Sequence, residues 1–188
     1  ASFWIRMLYS CLVDADYLDT ESFMDEDRCG IRSEKYPDLK ILEYSFNRFM
    51  VCLHGNVKST SVNKIRKDIL EQCLNAAEQS SKIFSLTVPT GGGKTLSSMA
   101  FALRHAVKYN KRRIIYVIPY TSIIEQTADV FRAIPGFETA VIEHHSNLRD
   151  DEDGRDSLRS RLAAENWDAP IVVTTAVQFF ESLYANRS

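Results

Sequence analysis

The sequence lacks an apolar run of the roughly 18 residues that a membrane-spanning helix needs, and it shows no signal peptide. We therefore expect no membrane partner and predict a cytoplasmic location. The sequence also lacks a Cys-x-x-Cys pair, and no cysteine lies at ligand spacing from a histidine. This pattern predicts reduced thiols instead of a disulfide framework or a zinc site. The cysteines are Cys11, Cys29, Cys52 and Cys73.

The chain has no excess of positive charge, since 23 Lys and Arg face 25 Asp and Glu for a formal net charge of −2. A nucleic acid would thus have to be held through local contacts and not by a global positive field. The 45% hydrophobic content is enough for a core, and 188 residues fit one domain, or one domain plus part of another. The opening residues Ala1–Trp4 lack methionine and already follow a helical apolar pattern, so the sequence is expected to be cut from a longer protein.

The first 80 residues predict helices separated by polar segments. Apolar spacings of three and four predict helices over 2–19, 41–53 and 61–79. Charged residues, together with Gly30 and Pro37, predict a loop or linker over 19–40, and polar residues predict a turn over 56–61. Ser61 can cap the third helix.

From residue 82 onward, short β-rich runs alternate with helical runs. The predicted strands cover 83–88, 113–118, 138–143 and 171–175, and the predicted helices cover 96–109 and 121–133. A charged segment over 149–165 predicts a loop followed by a solvated helix. Strands that alternate with helices of about 10 to 15 residues indicate a parallel sheet with crossover helices. The sequence therefore predicts an α/β fold.

A glycine-rich segment, Val88-Pro89-Thr90-Gly91-Gly92-Gly93-Lys94-Thr95, lies between a predicted strand and a predicted helix. This is the context that a phosphate-binding loop requires, because glycine lets successive N–H groups face a phosphate and the helix start adds its positive end. We expect Lys94 to reach the β- and γ-phosphates of ATP and Thr95 to hold Mg²⁺. The predicted cofactor-binding set is Thr90, Gly91, Gly92, Gly93, Lys94 and Thr95. Val88 replaces the glycine of the general pattern, and this form is typical of helicase-type motors.

Two later segments resemble motifs of superfamily-two helicases. Segment 114–126, in which a strand leads into a helix through a proline, is similar to motif Ia, and segment 171–180 is similar to the later motif in which a strand ends in a threonine pair. The resemblance implies contacts to single-stranded DNA from Pro119, Thr121, Ser122, Thr174 and Thr175. Alternatively, Thr121 only caps its helix. We assign Phe179 and Phe180 to the buried face of the last helix and not to a base-stacking platform.

The N-terminal part narrows the family. Segment 12–21, which contains Asp16, resembles the last conserved helix of the HD nuclease domain in the CRISPR-associated helicase-nuclease of type I systems, and segments 118–126 and 141–146 are similar to the same family. The resemblance covers nearly the whole chain and is weakest over 22–60. It implies that residues 1–25 are the last helix of an all-α HD domain, that 26–60 are a linker with a helix, and that 61–188 are the N-terminal part of the first RecA-like domain, a P-loop NTPase fold.

The same resemblance implies a function for the parent protein in antiviral defence. Asp16 would complete a site for Mn, Co, Ni or Fe that cuts single-stranded DNA, and a guide-RNA surveillance complex would recruit the protein. The alternative for Asp16 is a carboxylate on a helix surface. Asp14 and Asp19 are read as solvated or capping residues.

Two absences limit what these residues are expected to do. The HD site needs a His-Asp pair, but none of the histidines, His54, His105, His144 and His145, precedes an aspartate. Asp16 alone cannot hold a catalytic metal, because such a metal requires several convergent ligands. The D-E-x-H motif is also missing, although Glu143-His144-His145 resembles it superficially. We therefore expect the 188 residues alone not to unwind, cut or turn over ATP, and to bind nucleotide weakly at most.

The residue that reads adenine is not evident, since no glutamine stands at the usual place before the phosphate loop. Asn63 or Arg66 could substitute, although an ordinary surface helix explains both. The leading hypothesis for the parent is an ATP-dependent translocase and nuclease acting on single-stranded DNA. Two alternatives remain: another superfamily-two helicase subunit of a restriction or repair system, and a non-hydrolysing nucleotide-binding module.

Overall fold

The computed structural model describes residues 2–32, 35–55, 60–80, 83–145 and 155–184. Within these ranges the chain forms eight helices and three strands. In chain order they are α1 (Ser2–Met24), α2 (Glu26–Arg32), α3 (Leu39–Gly55), α4 (Ser61–Ala77), α5 (Lys94–Lys108), β1 (Ile114–Ile118), α6 (Thr121–Arg132), β2 (Val141–His144), α7 (Arg155–Asn166), β3 (Ile171–Thr175) and α8 (Ala176–Tyr184). The predicted turn at 56–59, the predicted loop at 149–154 and Ser146 lie outside the described residues.

The chain divides into two compact units. The first comprises the described residues of 1–36, 115–128 and 142–188, and the second comprises those of 37–114 and 129–141. The first unit holds most of the sheet, and the second holds the phosphate loop with the helices on either side of it.

The parallel sheet has the strand order β1-β3-β2, with the last strand of the sequence in the middle. All five residues of β3 are buried, as expected for a central strand covered on both faces. Helices α6 and α7 lie between successive strands in the sequence and provide the crossovers that a parallel sheet needs. The structure thereby confirms the α/β class and the crossover connections that the sequence predicts.

The predicted strand over 83–88 is wrong. Residues 83–89 have no regular secondary structure, and within the described part of the chain the sheet contains three strands. The side chain of Ile83 is 88% exposed, whereas the ring of Phe84 packs against Phe101 at 4.8 Å between ring centres. A composition rich in β-forming residues shows that a segment could pack in a sheet, but it does not show that a neighbouring strand is available to pair with it.

The predicted loop over 19–40 is wrong for its first part, since α1 continues to Met24 and α2 follows almost directly. The Asp25 carboxylate accepts the N–H of Arg28 at 3.0 Å, which is how a capping side chain starts a helix. At the other end of α2, Arg32 donates Nε–H to Glu21 Oε1 at 2.5 Å and Nη1–H to the Leu162 carbonyl at 2.9 Å. It also forms an ion pair with Glu165. These charged contacts link α1, α2 and α7, and periodicity alone could not reveal them.

In the second unit, α5 packs against both α3 and α4. Phe46 of α3 and Phe137 contribute to its core with their ring centres 6.4 Å apart. The other buried side chains include Leu42, Met50, Cys73, Met99, Leu103, Phe131 and Ile134. The predicted cap of α4 is off by one residue, because the hydroxyl of Thr60, and not that of Ser61, accepts the Asn63 N–H.

Two helices end on a non-glycine residue in the left-handed conformation. Asn110, with φ 50°, follows α5, and the next N–H, that of Lys111, bonds to the Ala106 carbonyl at 2.8 Å. Trp167, with φ 55°, ends α7 in the same way, and Asp168 donates to the Ala163 carbonyl at 3.2 Å. Asparagine adopts this conformation readily, whereas a bulky residue there needs tertiary support.

Helix α7 is also less solvated than predicted. Leu162, Ala163 and Ala164 are buried, and the two alanines join Ile142 and Val172 in a core cluster of the first unit. The high charge of the segment concealed this short apolar stretch, which is what attaches the helix to the sheet.

Candidate functional site

The phosphate loop begins with a tight turn. The N–H of Gly92 donates to the Pro89 carbonyl at 3.1 Å, and the third residue of the turn, Gly91, has φ +82°. A positive φ at this position is the mark of a type II turn and favours glycine. Gly93, with φ +81°, then leads directly into α5. The glycines at 91 and 93 are therefore required by backbone conformation.

Gly92 is required for a different reason, because it has no room for a side chain. A Cβ at this position would lie 2.3 Å from Val88 Cγ1 and 3.0 Å from the Pro89 carbonyl oxygen. Val88 is the residue that departs from the general phosphate-loop pattern. Its side chain lies directly against Gly92, so the valine at position 88 and the glycine at position 92 belong together.

The start of α5 presents N–H groups that the helix itself does not use. The first helical bond is donated by Ser97 to the Gly93 carbonyl at 3.0 Å, so the N–H groups of Lys94, Thr95 and Leu96 precede it. Gly93 has no side chain that could cap them. Lys94 is exposed and Thr95 is half-buried. A helix start of this kind, beside a lysine and a hydroxyl, suits a polyphosphate anion.

Arg66 of α4 contacts the loop directly. Its Nε and Nη2 groups donate to the Gly91 carbonyl at 3.0 and 2.8 Å, and Nη1 donates to Asn63 Oδ1 at 3.4 Å. The sequence offered these two residues only as substitutes for a base-reading glutamine. It gave no signal that the Arg66 side chain reaches the loop, because the contact joins residues 25 positions apart.

The residues expected at motif Ia surround the start of α6 in the first unit. Pro119 and Tyr120 are exposed between β1 and α6, and the helix begins at Thr121, which is half-buried. Ser122 is exposed in the first turn. These positions leave backbone N–H groups and a hydroxyl near the surface, which is the donor set that suits a phosphate of any sequence.

The threonine pair at the end of β3 has structural partners. Thr174 is fully buried, and its hydroxyl donates to the His144 carbonyl at 2.7 Å. The hydroxyl of Thr175 accepts the N–H of Gln178 at 3.1 Å and so caps α8. Thr174 thus ties the end of β3 to the end of β2, and Thr175 starts the next helix. Direct contact with DNA stays a prediction for both residues.

An aromatic group adjoins the threonine pair. Trp167 donates its indole N–H to His144 Nδ1 at 2.7 Å, and its ring stacks on Phe179 with 6.2 Å between ring centres. Phe179 is half-buried as expected, whereas Phe180 is 52% exposed, so its assignment to the buried face is wrong. Its ring meets Phe179 edge-on.

In the segment Glu143-His144-His145, the last side chain is buried. His145 is 5% exposed and its Nε2 lies 3.6 Å from Glu143 Oε2.

Asp16, His54 and His105 each have their own local surroundings. Asp16 is exposed on α1, and its carbonyl accepts the Thr20 hydroxyl at 2.9 Å. His54 is exposed at the end of α3, and His105 Nδ1 lies 3.0 Å from the Ala77 carbonyl. Within the described ranges, no group of three or more metal-ligating side chains could hold an ion. These residues therefore do not by themselves fit the divalent metal that the resemblance implies.

The four cysteines are free thiols in the structure. Cys73 is buried, and burial raises the pKa of its thiol, while the other three are exposed. Across the part of the chain that the structure describes, no helix has both the length and the apolarity needed to cross a bilayer.

Two comparisons with known proteins bear on this site. The family model of the type III restriction enzyme res subunit matches residues 59–188. The CRISPR-associated nuclease/helicase Cas3 of Haloferax volcanii is 32% identical over 195 residues, which cover 93% of this chain and 20% of that protein. The chain thus spans about one fifth of the length of this curated relative. The match to Cas3 confirms the resemblance to a CRISPR-associated helicase that the motifs indicate, and the family match confirms a helicase-type domain over residues 59–188.

Proposed function

Since the chain belongs to the family of the type III restriction enzyme res subunit, we propose that it provides the ATP-binding part of a motor that moves along single-stranded DNA. The parent protein is then a CRISPR-associated helicase-nuclease of antiviral defence. The observation that carries the proposal is the loop at 89–95, where two glycines of positive φ and one buried glycine lead into an uncapped helix start.

The residues of this loop fit ATP and Mg²⁺. Lys94 would contact the β- and γ-phosphates, and the Thr95 hydroxyl would hold the metal, while Thr90 and the glycines line the anion. When bound, Mg²⁺ neutralises part of the phosphate charge. The chain's own contribution is to position the anion with N–H groups that are already oriented before it arrives. Because D-E-x-H is missing from the 188 residues, we propose that these residues alone bind nucleotide without hydrolysing it.

The proposed nucleic-acid interface lies in the first unit. Ser122 and Pro119 are exposed, and Thr121 opens a helix, so these residues are the best placed for direct phosphate contacts. Thr174 and Thr175 act through the ends of β3 and α8 that their hydroxyls stabilise. Contacts of this type read the backbone and not the base sequence, which suits a translocating motor.

The proposed domain organisation assigns 1–25 to the HD nuclease domain, 26–60 to the linker and 61–188 to the first RecA-like domain. The family match from residue 59 supports the last boundary. The apolar side chains of Trp4, Leu8 and Leu12 on α1 are exposed. The other helices of an all-α domain in the parent protein would cover such residues, which supports the first boundary. We assign Asp16 one ligand position at a divalent metal of the parent protein.

The same proposal implies a partner and a cellular location for the parent protein. A guide-RNA surveillance complex would deliver the parent protein to single-stranded DNA in the cytoplasm. The description of the matching family favours a second candidate, the motor subunit of a restriction system. The two differ in one requirement: the CRISPR function needs the guide-RNA complex for DNA degradation, and the restriction function does not.

The test is the rate of DNA-stimulated ATP hydrolysis by the intact protein. Lys94→Ala should lower the rate about a hundredfold or more, because it removes a cation that stabilises the transferring phosphoryl group. Lys111→Ala, at an exposed lysine after α5, is the matched control and should retain the parental rate. Equal rates for Lys94→Ala and the parent would reject the assignment.

A further inference from the structure

The peptide group that joins Gly91 and Gly92 forms hydrogen bonds through both its carbonyl oxygen and its N–H. The carbonyl oxygen of Gly91 accepts two N–H groups of the Arg66 guanidinium, at 3.0 and 2.8 Å. The N–H of Gly92 donates to the Pro89 carbonyl at 3.1 Å. Because the peptide group is planar, fixing its carbonyl and its N–H fixes the orientation of the whole unit.

This peptide is the part of the loop with the most freedom to rotate. Glycine occupies both of its positions, and glycine adopts positive and negative φ with similar ease. The turn bond to Pro89 holds the N–H of the peptide and, within the described part of the chain, Arg66 holds its carbonyl. Without the guanidinium, the Gly91 carbonyl could turn toward the helix start, where its negative end would repel a phosphate.

Arg66 is well placed to act as a support. It lies on α4, which packs against α5 and buries Cys73 and Ala77 farther along the helix. Its third donor, Nη1, contacts Asn63 Oδ1 one turn earlier, which orients the planar guanidinium. The bond from the Asn63 N–H to Thr60 Oγ1 stabilises that first turn of α4.

We propose that Arg66 is a positioning residue for polyphosphate binding. Its guanidinium keeps the Gly91 carbonyl turned away, so the N–H groups that follow, from Gly93 to Thr95, are presented to the anion. This inference rests on the proposed nucleotide-binding role of the loop. It differs from base reading, since Arg66 acts on the loop and its effect does not depend on adenine.

The experiment measures dissociation constants of the intact protein for Mg·ATP and for Mg·tripolyphosphate, which has the phosphates and no base. Arg66→Ala should weaken both about tenfold, the size expected for losing a charge-assisted hydrogen-bond pair. Arg66→Lys keeps the charge but loses the two-pronged geometry, and should weaken both about threefold. Arg112→Ala removes an exposed arginine of the same unit and should change neither constant.

Each other outcome has a defined meaning. If Arg66→Ala weakened ATP and left tripolyphosphate unchanged, Arg66 would be a base reader and the positioning role would be wrong. If both constants stayed at the parental values while Lys94→Ala weakened them, the positioning role would fail and the phosphate loop would stand. If Lys94→Ala also had no effect, the proposed function itself would fail. Should Arg66→Ala not fold, Arg66→Lys decides, and parental binding by that variant overturns the inference.

Discussion

The indole N–H of Trp167 donates to Nδ1 of His144 at 2.7 Å, and Trp167 holds a left-handed backbone conformation with φ 55° to do so. A bulky residue pays about 1 to 2 kcal/mol for this conformation relative to an ordinary helical one. The hydrogen bond and the stacking on Phe179 offset that cost. Because Nδ1 accepts, the neutral His144 ring carries its proton on Nε2. The same histidine receives the Thr174 hydroxyl on its carbonyl, so the end of α7 and the ends of β2 and β3 are connected through one residue.

Replacing Trp167 should therefore destabilise the first unit. Trp167→Phe keeps an aromatic ring but removes the donor, and we expect the free energy of unfolding to fall by about 1 to 3 kcal/mol. Urea unfolding followed by circular dichroism measures this change. The control is Tyr120→Phe in the same unit, at a side chain that is 66% exposed, where little change is expected. An equal effect of the two substitutions would contradict the role of the indole bond.

The ion pair between Glu21 and Arg32 predicts a dependence of stability on pH. The hydrogen bond from Arg32 lowers the pKa of Glu21 below its ordinary value of about 4.5, and burial opposes this effect. A carboxylate with a lowered folded-state pKa stabilises the fold above the unfolded-state pKa, and this stabilisation is lost as the pH falls through the folded-state value. Stability should hence decline below about pH 4.5.

The variant Glu21→Gln should flatten that decline and lower the stability at neutral pH by about 1 to 3 kcal/mol, since a buried charge pair is broken. Thermal melting across the pH range checks both effects. Glu71→Gln, at an exposed position of α4, should leave the pH profile unchanged. A parental acid slope in Glu21→Gln would show that other groups control acid unfolding.

Gly92 should be the least replaceable glycine of the loop. In Gly92→Ala the new methyl group would meet Val88 Cγ1 at 2.3 Å, so the loop must distort and nucleotide affinity should fall at least tenfold. Gly91→Ala has open space but a positive φ, and should cost about 1 to 2 kcal/mol of stability. Gly30→Ala in α2 has neither problem and should be neutral or slightly stabilising. Calorimetric titration with Mg·ADP measures the affinities, and urea unfolding measures the stabilities. Unchanged affinity in Gly92→Ala would refute the steric account.

The proposed metal role of Asp16 separates two activities of the parent protein. Asp16→Ala should abolish DNA cleavage and leave DNA-stimulated ATP hydrolysis intact, because the two sites use different residues. Asp14→Ala, at another exposed aspartate of α1, should retain both activities. Cleavage of labelled single-stranded DNA by the two variants gives the answer, and parental cleavage by Asp16→Ala would remove Asp16 from the ligand set.

Local sequence signals predicted the features that depend on local structure. The helices α3 to α6 and the strands β1 and β3 follow apolar spacing closely, and the phosphate loop follows its glycines. The sequence predicts strand β2 over 138–143, and the strand lies at Val141–His144, a shift of the size that element boundaries usually show. The parallel arrangement followed from the alternation of strands and helices.

Features that depend on contacts between distant residues could not be predicted. Residues 83–88 have strand composition without a strand partner, and α2 is held by the Arg32 contacts with Glu21 and Leu162. The Arg66 contact with the loop and the left-handed Trp167 are of the same kind, since each depends on a partner more than 20 positions away. The motifs indicate which residues are proposed to carry the chemistry, and long-range contacts such as that of Arg66 with the loop hold parts of the candidate site in place.

The central claim is that the N–H groups at the start of α5 bind a polyphosphate. Hydrogen exchange of the intact protein, measured by mass spectrometry with and without saturating Mg·ADP, tests it most directly. We predict slower exchange in peptides covering 90–97 and no comparable change in peptides covering 39–55, which form α3. Unchanged exchange across 90–97 at saturating nucleotide would contradict the claim.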